Sequence, residues 1–119
     1  MLTNKIISRF SDAFAKHDAT VLPQLVDADC VMETADPAPD GARIVGREAC
    51  LAFWQTIVHD HTTQFEPEEI VAVANDRGAL RWRYQYGPGE RDYNRGVTLI
   101  RVRDGMLVEA LIYSKTPGS

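Results

Sequence analysis

The chain of 119 residues carries 13 Lys and Arg against 17 Asp and Glu, a formal charge of −4, with 45% apolar and 25% charged residues. That length suits one domain spanning 1–119 whose core needs neither disulfide nor metal, and the acidic balance lacks the basic surface a polyanion requires, so no nucleic-acid partner is expected. No stretch reaches the ~20 apolar residues of a membrane span. Met1-Leu2-Thr3-Asn4-Lys5 opens no apolar signal core. A cytoplasmic protein without a membrane partner is expected, with Cys30 and Cys50 as reduced core thiols.

Leu2, Ile6, Ile7, Phe10, Ala13 and Phe14 recur at three- and four-residue steps, which predicts a first helix with one apolar face. His17-Asp18 breaks the pattern. Asp18 or Thr20 can cap a short second helix with Pro23 in its first turn and Leu22, Leu25 and Val26 buried. Asp29–Ala35 reads as a strand and Asp36–Gly41 as a Pro/Gly loop. Gly46-Arg47-Glu48 opens a third helix bearing Leu51, Phe53, Trp54, Ile57 and Val58, ending near His59-Asp60-His61.

The period then changes to two. Phe65–Ala74, Ala79–Tyr86, Tyr93–Arg103 and Met106–Lys115 read as strands, separated by turns at Asn75–Gly78, Gly87–Asp92 and Asp104-Gly105. The last is a hairpin signal between apolar flanks. Helices followed by strands joined through short turns argue an α+β fold with a mainly antiparallel sheet. No repeat, low-complexity segment or linker interrupts the chain.

Several stretches in this order are similar to the SnoaL-like polyketide cyclase family, within the nuclear-transport-factor-two-like superfamily. They are Phe14–Asp18, Asp29–Glu33, Gly41–Gly46, Arg81–Tyr84, Arg95–Glu109 and Tyr113–Lys115, and together they cover nearly the whole chain. The resemblance implies a cone-like α+β barrel, with three N-terminal helices packed on a strongly curved, mixed but mainly antiparallel sheet. It also implies a pocket at the cone's open end and a homodimer through the sheet's outer face. It fixes no single activity, since relatives include isomerases, cyclases, dehydratases, epoxide hydrolases and non-catalytic binding domains.

Side chains two apart share a sheet face. Leu80, Trp82, Tyr84 and Tyr86 then form one face, as do Thr98, Ile100 and Val102, and as do Leu107, Glu109, Leu111, Tyr113 and Lys115; Val31 and Glu33 go together on the first strand. If these faces line one cavity, it is apolar and aromatic, suited to a small apolar or aromatic ligand. Glu33 and Glu109 are the candidate acid–base pair, because a carboxylate desolvated by such a cavity is tuned toward proton transfer. Tyr84 is the candidate hydrogen-bond donor to a developing enolate. Phe14, Trp54, Trp82, Thr98 and Tyr113 are candidate substrate contacts. Arg95, beside the Gly87–Asp92 loop, is the candidate anchor for a substrate carboxylate. The alternative for each glutamate is a strand carboxylate paired with arginine; for the arginines it is an outer surface paired with Glu66, Glu68 and Glu69.

Thr98 occupies a Gly-Val-x slot that many family members fill with an acidic residue, which weakens the catalytic reading. No metal is expected, since the i, i+2 spacing of His59 and His61 does not share a helical face. No cofactor is expected, since no phosphate-binding glycine loop, Cys-x-x-Cys pair or nucleophile elbow is present. Three functions compete: a cofactor-independent isomerase, cyclase or dehydratase; a non-catalytic small-ligand-binding domain; and a dimerisation domain whose interior is filled by side chains.

Overall fold

The computed structural model describes residues 2–117. The first helix, α1 (Leu2–Ala15), buries Ile6, Ile7, Phe10, Ala13 and Phe14, the stripe its sequence period prescribes. It stops in a Schellman arrangement. The Asp18 N–H reaches back to the Ala13 carbonyl and the His17 N–H to that of Phe14, while His17 takes the left-handed conformation at φ 53°. Helix α2 (Leu22–Leu25) has Val21 at its N-cap position with no side-chain cap, and Pro23 in the first turn. Asp18 instead accepts the Thr20 N–H and hydroxyl, closing a local turn ahead of the helix.

Strand β1 (Val26–Glu33) follows without a gap and is three residues longer at its start than the sequence pattern indicated. Strand β2 (Arg43–Val45) is a short element that no period in the sequence marks. It is recruited by pairing with β1 (Val31 opposite Val45), a contact no local pattern announces. Gly46, at φ 99°, makes the sharp entry into α3 (Arg47–Val58), a backbone geometry that side-chain-bearing residues rarely adopt. The Arg47 guanidinium donates to the Val26 and Pro23 carbonyls and fixes that entry against α2 and β1.

The remaining strands are β3 (Gln64–Ala74), β4 (Arg77–Gln85), β5 (Tyr93–Arg103) and β6 (Met106–Lys115). The sheet order is β2-β1-β6-β5-β4-β3. Among the described residues only the β1–β6 pairing is parallel. Register shifts in β1, β3 and β6 add local bends. Helix α1 packs on β3 and β4, and α3 on β1, so both helices close over the concave face. The core between them holds Ile7, Leu22, Leu25, Met32, Leu80 and Leu107, all almost wholly buried. Cys30 and Cys50 lie there as free thiols. Desolvation raises the Cys30 thiol well above the ordinary thiol range, with Cys50 beside it adding to the effect, so it is an inert packing group. Among the described residues no helix is long and apolar enough to cross a membrane.

Candidate functional site

The helices and the concave sheet face do not fill the space between them. A cavity of about 450 Å³ opens there. Its walls are aromatic because α1, α3, β3 and β4 each turn a ring inward at the same level. Trp54 meets Phe10 edge-on at 5.0 Å between ring centres, Phe10 meets Phe14 at 5.0 Å, Phe14 meets Phe65 at 5.5 Å and Phe65 meets Trp82 at 6.0 Å. These five rings form a continuous belt, extended by Phe53 from α3 and Tyr84 from β4. Edge-to-face contacts on α1 and α3 and tilted ones at Phe65 hold the belt while leaving ring faces free for a ligand.

Polar groups enter at a few points. Thr98 projects from β5, and its hydroxyl oxygen accepts the Trp82 indole N–H at 3.0 Å, in a buried setting. Tyr84 and Asn94 sit directly opposite each other on β4 and β5 and both line the cavity. The Asn94 Oδ1 is buried without a hydrogen-bond partner, which is costly for an amide unless something in the cavity pairs with it. Ser114, Thr34 and Asp36 complete the polar rim. Thr34 is held there by its hydroxyl, which donates to the Asp36 carbonyl at 2.6 Å and accepts the Ala42 N–H at 2.9 Å.

The residues singled out from sequence divide cleanly. Phe14, Trp54, Trp82, Tyr84 and Thr98 line the cavity. Glu33, Glu109, Arg95 and Tyr113 do not; they lie on the convex face, and the expectation that they share the cavity is corrected. For Glu33 the reason is a choice of parity. Cys30 and Met32 are the fully buried side of β1, which turns Glu33 outward to an ion pair with Arg43 at 3.1 Å. For Glu109 and Tyr113 the reason is a β-bulge. Val102 pairs with Leu107 and Arg101 with Glu109, so Val108 is an extra residue in β6. Beyond it the inward positions are Ala110, Ile112 and Ser114, not Glu109, Leu111 and Tyr113. Tyr113 is 56% exposed, and Glu109 borders an outer depression with Arg101 and Arg103. Arg95 alternates outward from Gly96 and grips Glu68 through two hydrogen bonds of 3.2 and 3.0 Å.

Four polar cavity residues, Asn94, Ser114, Thr34 and Asp36, lie outside the set singled out from sequence. Asn94 shares the parity of Thr98 and was open to the same alternation argument. Ser114 was hidden by the bulge. At Asp36 the Asp-Pro step signals a turn and not where the side chain lies. The other arginines match the outer-surface alternative in part: Arg81 pairs with Glu69 at 3.3 Å, Arg103 bridges Asp27 and Asp29 at 3.1 Å each, and Arg83 lies 3.8 Å over the Tyr93 ring. His17 stacks on His61 at 4.6 Å and donates from Nδ1 to the Val58 carbonyl, closing the C-terminal end of α3.

A SnoaL-like domain profile matches residues 7–110. Among solved structures, an NTF2-like protein of unknown function from Mesorhizobium loti is 46% identical, with a TM-score of 0.89 over 96% of this chain and 91% of that one. A protein provisionally assigned as a polyketide cyclase, from Sinorhizobium meliloti, is 23% identical with a TM-score of 0.71 over 91% and 93% of the two chains. A steroid delta-isomerase from Pseudomonas aeruginosa is 18% identical with a TM-score of 0.72 over 93% and 77%. These last two share the fold. No curated protein matches the chain at a significant level.

Proposed function

This chain belongs to the SnoaL-like domain family, and on that premise we propose that its cone cavity binds a small, flat, largely apolar molecule. The observation that supports this most is the unfilled aromatic belt. A space of about 450 Å³ falls within the ~300–1,000 Å³ range of small-molecule sites, which combine apolar walls with a few placed polar groups. A domain serving only to dimerise would gain stability by filling that space. The test is calorimetric titration with 2-acetylnaphthalene and with larger fused-ring ketones. One-site saturable binding is expected, abolished by Ile57→Trp, which fills the cavity from α3. Absence of binding across the series would defeat the proposal.

A second reading, acid–base catalysis on a carbonyl compound, is favoured by one feature. Asp36 is the one carboxylate lining the cavity among the described residues. It is the group placed to take a proton from a bound carbonyl compound, with Tyr84 or Thr98 donating to the oxygen that gains charge. Asp36 is exposed at the rim, so this reading requires the ligand to cover it. Isotope exchange at carbon next to the ketone of a bound ligand, lost in Asp36→Asn, is its expected signature.

We further propose a homodimer through the convex face. Val97 opposes Tyr113 and Leu99 opposes Leu111 across β5 and β6, so the four form one apolar patch. Leu99 and Tyr113 are 43% and 56% exposed. A patch of this kind, rimmed by Arg81, Arg95, Glu68 and Glu69, carries both signs of charge, as a self-complementary surface needs.

A further inference from the structure

We propose that Thr98 is the cavity's reader of a hydrogen-bond acceptor, and that Trp82 and Gly96 exist in this arrangement to aim it. The proposal rests on the ligand-binding reading above and goes further, by assigning which ligand atom the cavity selects and through which residues.

A threonine hydroxyl has one hydrogen to donate and two lone pairs to accept with. At Thr98 the oxygen takes the Trp82 indole N–H at 3.0 Å. An indole N–H only donates, so this bond uses a lone pair of Thr98 and leaves its hydrogen uncommitted. No acceptor for that hydrogen is present among the hydrogen bonds of the described residues, and Thr98 lines the cavity. The backbone of Thr98 is committed to the sheet between Leu80 and Ile112, so the side chain cannot turn away without changing strand face. The O–H therefore has the cavity as its outlet. Accepting the indole hydrogen also polarises it, which strengthens what it donates.

Gly96 supplies an independent observation. It stands opposite Trp82 in the β4–β5 ladder, two residues before Thr98 on the same face. A Cβ at Gly96 would come within 2.6 and 2.8 Å of the six-membered ring of Trp82, and would also collide with the Tyr113 carbonyl. The absent side chain is what lets the indole lie flat across β5 and bring Nε1 to Thr98. Three residues on two strands thus produce one donor, set among aromatic walls where an unpaired ligand oxygen would otherwise be left without a partner. An acidic side chain at this position would be a proton-transfer group. A threonine fixed by an indole is a stationary donor, suited to a carbonyl, ether or phenolate oxygen on a flat ligand. Thr98 sets specificity here and Trp82 acts through it as a positioning residue.

The experiment uses the full chain and a matched pair of shape-equivalent ligands, 2-acetylnaphthalene and 2-isopropenylnaphthalene, which differ in C=O against C=CH2. Affinities are measured by calorimetry for wild type, Thr98→Val, Thr98→Ser and Trp82→Phe. The ketone-to-alkene affinity ratio is expected to fall about three- to tenfold from wild type to Thr98→Val, the net worth of one neutral hydrogen bond, with alkene affinity retained and the ratio restored in Thr98→Ser. In the infrared spectrum of the wild-type complex, the ketone band should lie below its position in hydrocarbon solvent. It should return toward that position in Thr98→Val and move part of the way in Trp82→Phe. An unshifted band in wild type, or a ratio that Thr98→Val leaves unchanged, overturns the proposal even if every variant binds. If neither ligand binds wild type, the ligand-binding reading fails and this inference fails with it.

Discussion

Single side chains decide what this cavity contains. Gly96→Ala is expected to destabilise the protein by about 1–3 kcal/mol, the usual cost of overpacking, because the new methyl meets the Tyr113 carbonyl and the Trp82 ring together. A urea midpoint shift at unchanged slope measures it. The same variant should loosen the indole from Thr98, so its ketone-to-alkene ratio should move with that of Trp82→Phe. At Glu33 and Glu109 the opposite outcome is expected. Both sit on the convex face, so Glu33→Gln and Glu109→Gln should leave cavity affinity within about twofold, since neither lines the cavity and the Glu33–Arg43 surface pair is worth little. A tenfold loss in either titration would contradict the placement. Residue types were legible from sequence: an aromatic-rich β4 and a threonine in β5 both line the cavity. The partnership of Trp82 with Thr98 was not, because it depends on the register of two strands, which alternation within each strand does not specify.

At the level of elements, the ends carry as much information as the interiors. Helix α1 ends on His17 at φ 53°, a position glycine usually takes, and α3 leads into Asp60, which accepts the Thr62 hydroxyl and N–H. Those two bonds hold the Asp60 carboxyl below its usual range. A depressed folded-state value means the contribution to stability is present above the unfolded value of about 3.9 and is lost as pH falls through the folded value. Asp60→Asn keeps an acceptor oxygen but no titration. Thermal unfolding of wild type and Asp60→Asn should therefore converge as the pH drops below about 4, and a gap that stays constant with pH would count against the turn's electrostatic role. Helix α3 and the four long strands were legible from their periods. Strand β2 was not, because three residues carry too little periodicity to declare themselves and are fixed by pairing with β1. The bulge at Val108 was equally silent: Leu107, Glu109 and Leu111 alternate regularly in sequence, and the pairing with β5 decides where the alternation skips.

For the whole molecule, the mixed sheet presents two faces of different character. The concave face is aromatic and enclosed; the convex face carries ion pairs around the Val97, Leu99, Leu111 and Tyr113 patch. If a second copy covers that patch, Leu99→Glu should shift the chain from dimer to monomer in sedimentation velocity, placing two like charges near the symmetry axis. Wild type sedimenting as a monomer at tens of micromolar would remove the proposal. Cavity binding by the monomeric variant would further show that one copy builds the site alone.

Amphipathic periods and turn residues in the amino-acid sequence determined the α+β class, the order of the helices and strands apart from β2, and the aromatic supply to one face of β4, while the cone shape followed from the resemblance to a family. The class, the order and the aromatic face are local properties, set by side-chain spacing of 3.6 and 2.0 residues. The tertiary structure alone decided that Cys30 and Met32, not Val31 and Glu33, face inward, that Val108 reverses the parity of β6, and that Asp36 reaches the rim. Each of these depends on which strand lies beside which and in what register, and a β-strand whose two faces are both partly apolar does not encode that choice until its neighbours are in place.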